Sequence, residues 1–227
     1  MDQFEPGSTF KIVSISSALS EGTSRLNDII HCNHGRYSNG RWRLSDDHGY
    51  GNLSVMEVFA KSSNIGTYKI IRKVGQERFF QYIKGFGFGQ KTGVQLPGEL
   101  AGKVHHVDDW RDVTMSRVAI GYTISVTPLQ ITMAMAAIAN GGRLMQPMII
   151  DRIEYPDGKV MSHYDPHMVH QVMTNESTRD IIRAMTQVVG NKGTARRAKL
   201  DDYTVAGKTG TARKIVDGRY THSKHLA

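Results

Sequence analysis

The chain contains a single cysteine, Cys32, in 227 residues. One thiol excludes an internal disulfide. It is also too few for the paired ligands of a structural zinc site, even with His31 and His34 beside it, so Cys32 is expected in a surface loop. Long apolar runs are missing too. The longest, Ile131 to Ala139, carries the polar Thr132 and falls far short of the ~20 residues that a membrane-crossing helix needs. Met1 is followed by Asp2, without a basic segment and apolar core, so no signal peptide is expected. Acidic residues are in deficit, 21 against 29 Lys and Arg, for a formal net charge of +8. That excess suits attraction to an anionic surface or substrate. The basic residues are scattered and accompany no recognition motif, so nucleic acid is not expected as a partner. Repeats and low-complexity tracts are absent. What is present, 39% hydrophobic and 22% charged residues, is ordinary for a globular domain.

The order of elements can be read from breakers and periodicity. Pro6-Gly7 interrupts the chain, and Ile12, Ile15, Ser16 and Leu19 then recur at helical spacing, which places Ser8 where a helix begins. Residues 22–52 are rich in Gly, Asn, Asp and His and read as irregular. Ser54 caps a helix through Lys61, a second runs to about Val74, and Gln76 to Lys84 is a third, closed by Gly85. Residues 85–112 read as one long loop. Thr127, Pro128 and Gln130 occupy N-cap, N1 and N3 of a further helix that ends at Gly141-Gly142, with Met133, Met135 and Met145 as core filler. Pro156-Asp157-Gly158 separates two strand-like segments of a hairpin. Asn175 to Val189 is amphipathic, with Ile181, Ile182, Met185 and Val189 inward. A basic loop at 191–199, a strand at 203–214 and an Asp217-Gly218 turn follow. This pattern suits an α/β (α+β) fold.

Three short strings carry chemistry: Ser8-Thr9-Phe10-Lys11, Ser62-Ser63-Asn64 and Lys208-Thr209-Gly210-Thr211. Each is weak alone; in the order S-x-x-K, S-x-N, K-T-G they describe a serine acyl-transfer site that uses no metal, cofactor or histidine. A nucleophile at a helix start lies among unsatisfied N–H donors, and Lys11 falls on the same face one turn on. A second K-T-G, Lys91-Thr92-Gly93, follows the glycine-rich 85–89 and reads as loop. Lys208 is preceded by β-prone residues and is taken as the functional copy.

The chain resembles the class B penicillin-binding proteins, the D,D-transpeptidases of bacterial cell-wall synthesis. The resemblance rests on Glu5-Pro6-Gly7-Ser8-Thr9-Phe10-Lys11, Lys61-Ser62-Ser63-Asn64-Ile65-Gly66, the loop Phe86-Gly87-Phe88-Gly89…Leu96-Pro97-Gly98-Glu99, and Thr127-Pro128-Leu129-Gln130 with Ala139-Asn140-Gly141-Gly142. The Ser-Ser-Asn-Ile-Gly and Leu-Pro-Gly-Glu forms look more like the septal, division-type branch. The sequence departs from the family at Thr123, where glycine is more frequent, and at Arg213, where the family often has Gln.

The resemblance implies a transpeptidase/β-lactamase-like fold: an antiparallel sheet with flanking helices, and an all-helical subdomain at roughly 22–145 between the nucleophile helix and the C-terminal helix/strand part. It also implies a partial domain, truncated at both ends, with an incomplete sheet and without the family's membrane anchor. By the same resemblance Ser8 is the nucleophile, Lys11 its base, Ser62 a proton relay, Asn64 a holder of substrate and Lys11, and Lys208 the source of a positive field. Thr209 and Thr211 would bind the substrate carboxylate, and the N–H groups of Ser8 and Thr211 would form the oxyanion hole. Gly210 would leave room for an extended substrate. Expected partners are peptidoglycan stem peptides or their lipid-linked precursor, β-lactams, and division or elongation proteins, at the outer face of a bacterial inner membrane. A class A β-lactamase would carry a Glu-x-x-Leu-Asn string, which is absent. A D,D-carboxypeptidase, or a penicillin-binding sensor or scaffold that does not turn over, stays open at this level.

Overall fold

A computed structural model describes the backbone of residues 2–216 and 219–226 and the side chains of residues 2–211. The Asp217-Gly218 turn and the side chain of Arg213 lie outside the described residues. Seven α-helices occur in the described chain: α1 (Lys11–Ser20), α2 (Val55–Ala60), α3 (Asn64–Val74), α4 (Gln76–Gly85), α5 (Asp112–Val118), α6 (Pro128–Ala139) and α7 (Asn175–Val189). The strands are β1 (Ile29–His31), β2 (Arg36–Ser38), β3 (Arg43–Ser45), β4 (Asn52–Ser54), β5 (Arg143–Met145), β6 (Arg152–Glu154), β7 (Val160–His163), β8 (Met168–Gln171), β9 (Ala212–Val216) and β10 (Arg219–Leu226). They form antiparallel pairs, β1 with β4, β2 with β3, β5 with β8, β6 with β7 and β9 with β10.

Helix α1 is the axis of the core. Every residue from Lys11 to Leu19 is buried. Its large apolar residues alternate with Ser14, Ser16, Ser17 and Ala18, small enough to let α3, α4 and α7 approach from several sides. Ser14 Oγ donates to the Ala119 carbonyl at 2.7 Å, so the burial of this hydroxyl is compensated. Helices α2 and α6 begin as read from sequence: Ser54 with Glu57, and Thr127 with Gln130, each close a reciprocal capping box. Gln130 does more than cap. Its buried amide also donates to the carbonyls of Gln90 and Ala101, both at 2.8 Å, and so ties the long loop after α4 to the helix start.

Four readings change. Residues 22–52 hold strands β1, β2 and β3 and the start of β4; at three residues each they are too short for a period-2 pattern to register. Residues 22–145 thus contain α2–α6 and paired strands as well. Helix α5 was not anticipated, because seven residues fall below the window in which helical periodicity can be counted. The strand expected at 203–214 begins only at Ala212; residues 204–211 have no ladder partner among the described residues, and Gly207 N–H reaches α7 at the Met185 carbonyl, 3.3 Å. Cys32 is fully buried, not at the surface, and burial raises its thiol pKa. Among the described residues no helix is long and apolar enough to cross a membrane.

The segment around Gly121 braces the turn before α1. Gly7 N–H donates to the Gly121 carbonyl at 3.0 Å, and a Cβ on Gly121 would lie 2.0 Å from the Gly7 oxygen, at a backbone φ of +83°. Gly121→Ala therefore combines a left-handed backbone with a clash against main chain. We expect it to lower stability by more than about 2 kcal/mol, measured by urea unfolding.

Candidate active site

Ser8 lies in a single 3-10 turn, Gly7–Phe10, that runs directly into α1. Gly7 takes φ +53°, a conformation that glycine adopts without strain, and Thr9 Oγ1 donates to the Pro6 carbonyl at 2.7 Å. Beneath the turn Phe10 packs edge-on against Phe88, with ring centroids 5.1 Å apart. The nucleophile candidate is thus held from both sides by packing, and stays partly exposed.

Lys11 has no exposed surface, and it is among the largest fully buried side chains described. Its Nζ contacts the Ser62 carbonyl at 2.6 Å, Asn64 Oδ1 at 2.7 Å and Ser62 Oγ at 3.1 Å. Lys208 Nζ donates to the same Ser62 Oγ at 2.9 Å and to the Thr209 carbonyl at 3.0 Å. Four sequence-predicted residues therefore form one hydrogen-bonded cluster, with the Ser62 hydroxyl between two amines.

Burial drives the Lys11 pKa well below the ordinary lysine value; the positive charge of Lys208 pushes the same way, while Asp46 and Asp47 oppose both. Burial also lowers Lys208, to about 8. The two short partners of Lys11 are carbonyl oxygens, which can only accept. The third is the Ser62 hydroxyl, whose oxygen accepts from Lys11 Nζ and from Lys208 Nζ and so links the two amines.

Sequence reasoning missed Asp46. Its Oδ1 accepts from the backbone N–H of Asn64 (2.5 Å) and of Ile65 (3.0 Å), and its Oδ2 accepts from Ser63 Oγ at 2.7 Å. A carboxylate at the first turn of α3 complements the helix dipole and fixes the S-x-N string against Lys11. Next to it the Ser45 carbonyl accepts from Asn64 Nδ2 at 2.9 Å, which orients the amide oxygen toward Lys11. No spacing rule links residues 45 and 46 to 62–65, and they fall in the stretch 22–52 that reads as irregular. Ser62 itself has φ +59°, unfavourable for a side-chain-bearing residue and the kind of local strain that surroundings must hold in place. Asp46→Asn would keep an acceptor for the two N–H groups and lose the charge. Because Asp46 raises the Lys11 pKa, this variant should move the acidic limb of the acylation rate to lower pH and lower stability by about 1 kcal/mol. A pH–rate profile that does not move would refute the electrostatic part.

The third string approaches the first. A Cβ on Gly210 would fall 2.5 Å from Thr9 Cγ2, so the nearest reason for glycine here is the neighbour of Ser8 within the fold. The Thr209 and Thr194 hydroxyls lie 2.7 Å apart, and Thr211 is exposed. Among the described residues, neither Ser8 Oγ nor the Thr211 hydroxyl is hydrogen-bonded to the cluster. The other K-T-G is a structural loop: the N–H and Oγ1 of Thr92 and the N–H of Gly93 all donate to the Glu99 carboxylate. Thr123 stands at φ +60°, a left-handed conformation that glycine adopts more readily than a residue with a side chain.

Comparison with known proteins follows the same lines. Residues 1–226 match the family model of the penicillin-binding protein transpeptidase domain. Stage V sporulation protein D of Bacillus subtilis is 37% identical over 98% of this chain and 35% of its own length. The probable peptidoglycan D,D-transpeptidase PenA of Neisseria meningitidis is 31% identical over all of this chain and 37% of its own length. The chain thus spans about a third of the length of these curated relatives. Among solved structures, penicillin-binding protein 3 from Mycobacterium tuberculosis, complexed with ampicillin, superposes with a TM-score of 0.91 at 34% identity, covering 99% of this chain and 51% of that one.

Proposed function

Since the chain belongs to the penicillin-binding protein transpeptidase family, in its class B branch, we propose that it carries the acyl-transfer site of a peptidoglycan D,D-transpeptidase. The observation that supports this most is the Ser62 hydroxyl hydrogen-bonded to two lysine amines, that of the fully buried Lys11 and that of the partly buried Lys208.

In this reading Ser8 Oγ attacks the carbonyl carbon of the penultimate D-Ala while Lys11, whose pKa burial lowers, takes the hydroxyl proton. The tetrahedral oxyanion accepts from the N–H of Ser8 and of Thr211. As the C–N bond breaks, Ser62 delivers a proton to the departing D-Ala amine, which leaves a Ser8 ester. An acceptor amine then attacks the ester, its proton returns by the same path, and a new peptide bond cross-links two strands. Thr209 and Thr211 hold the terminal carboxylate in the positive field of Lys208, and Gly210 lets this segment pass close to Thr9 beside the nucleophile. A β-lactam follows the first half of this path, its ring amide opening onto Ser8.

The substrates are stem peptides, free or on the lipid-linked precursor, and the place of work is the outer face of a bacterial inner membrane within a division complex, the septal role being the closer sequence likeness. Residues 1–227 belong to one transpeptidase domain. Incubation with benzylpenicillin should give a single covalent adduct by intact mass, mapped to the peptide containing Ser8. A cooperatively folded protein that forms no adduct would refute the proposal.

A further inference from the structure

A cavity of about 850 Å³ lies beside Asn64, on the flank of the lysine cluster. Its charged lining is of one sign: Arg36 from β2, Arg43 from β3 and Arg117 from α5, with Tyr37 and Thr123 completing the wall. The convergence has a simple structural cause. Strands β2 and β3 pair with Arg36 opposite Ser45 and Ser38 opposite Arg43, so both arginines project on one face of the hairpin. Helix α5 is docked on that hairpin by Arg117 Nη2, which donates to the Arg43 carbonyl at 3.2 Å. The hairpin then leads straight into the catalytic cluster, since Ser45 and Asp46 are the residues that hold Asn64 and the start of α3.

Among the described residues none of the three guanidinium groups has a carboxylate within ion-pair distance. Arginines elsewhere do find such partners, Arg78 with Glu21 and Arg152 with Glu154. A concave site lined by one sign of charge focuses its field on an incoming ion, and the guanidinium fork matches a carboxylate in two-point contact.

We infer that this cavity binds a side-arm carboxylate of the peptide substrate, apart from the terminal carboxylate assigned to the K-T-G segment. The inference rests on the reading of Ser8 as the acylated residue, and deepens it by giving the substrate a second anionic anchor. The carboxylate belongs either to the donor peptide or to the acceptor, and matched probes separate the two.

For the donor arm, acylation by Nα-acetyl-L-Glu-D-Ala-D-Ala is compared with the isosteric Nα-acetyl-L-Gln-D-Ala-D-Ala. For the acceptor arm, aminolysis of a preformed acyl-enzyme by D-aspartate is compared with D-asparagine. One arm should favour the carboxylate by about tenfold or more in kcat/KM, as expected for charge-assisted hydrogen bonds. That ratio should fall toward one in the triple variant Arg36→Gln, Arg43→Gln, Arg117→Gln, and the corresponding triple Lys variant should recover part of it. Each ratio is internal to one protein, so a general loss of activity or stability does not mimic the result. Ratios near one in both arms of the unsubstituted protein would overturn the inference, and so would a preference that persists in the Gln variant. Benzylpenicillin labelling of the unsubstituted protein tells the two readings apart: labelled protein without carboxylate preference refutes only the cavity, whereas unlabelled protein refutes the acyl-transfer reading itself.

Discussion

Ser8→Ala is expected to abolish covalent labelling by benzylpenicillin and to reduce acylation by D-Ala-D-Ala peptides by a factor of ~10⁴ or more, as when any nucleophile of a covalent mechanism is removed. The size follows from where the bond forms. Lys11, Ser62 and Lys208 manage protons and charge, and none of them offers an alternative oxygen on the Ser8 turn. The fold should barely notice the change. Ser8 is partly exposed, its hydroxyl makes no hydrogen bond among the described residues, and the turn is held by Gly7, Thr9 and Phe10. Unfolding free energies within about 0.5 kcal/mol of each other are therefore expected. Residual labelling of Ser8→Ala by intact mass would place the nucleophile elsewhere.

Lys11→Met should lower acylation by ~10³, within the range of a positioned general base. It has an opposite signature in stability. Methionine removes a buried amine that burial penalises, but leaves the Ser62 carbonyl and Asn64 Oδ1 without their donor. The two effects offset, so the stability change should stay within about 2 kcal/mol while activity collapses. The pH profile carries the sign. A lysine acts as base only above its pKa, and that of Lys11 is depressed by burial and then by Lys208, so the acylation rate should begin to rise well below the ordinary lysine range. It should fall again as Lys208 loses its proton near pH 8 and the positive field disappears. Lys208→Gln should erase the alkaline limb. It should also shift the acidic limb upward, because one of the influences that depress Lys11 is gone. A profile for Lys208→Gln that keeps its alkaline limb would assign that limb to another group.

The parts of this protein that were legible in sequence are those set within a few residues. Thr127 and Gln130 announce their helix because a capping box is closed within four positions. The hairpin across Pro156-Asp157-Gly158 likewise comes from turn chemistry and appears as β6 and β7. The three motif strings could be recognised from their order alone, and the false K-T-G at 91–93 from its glycine-rich surroundings. The short strands of 29–54 and helix α5 escaped because their patterns are shorter than the window that detects them.

Sequence alone determined which groups this protein carries, a hydroxyl and an amine on one face of a helix start, and two further strings that resembled partners for them. Tertiary structure decided what those groups are. It brought Ser62, Asn64 and Lys208 to within hydrogen-bond distance across separations of 51, 53 and 146 residues. It recruited Asp46, which no motif marks, to hold the S-x-N turn, and it gathered three arginines into one cavity. The reason is physical. A lysine's basicity depends on the water it has lost and the charges around it, and both are properties of packing between distant segments that no local pattern encodes.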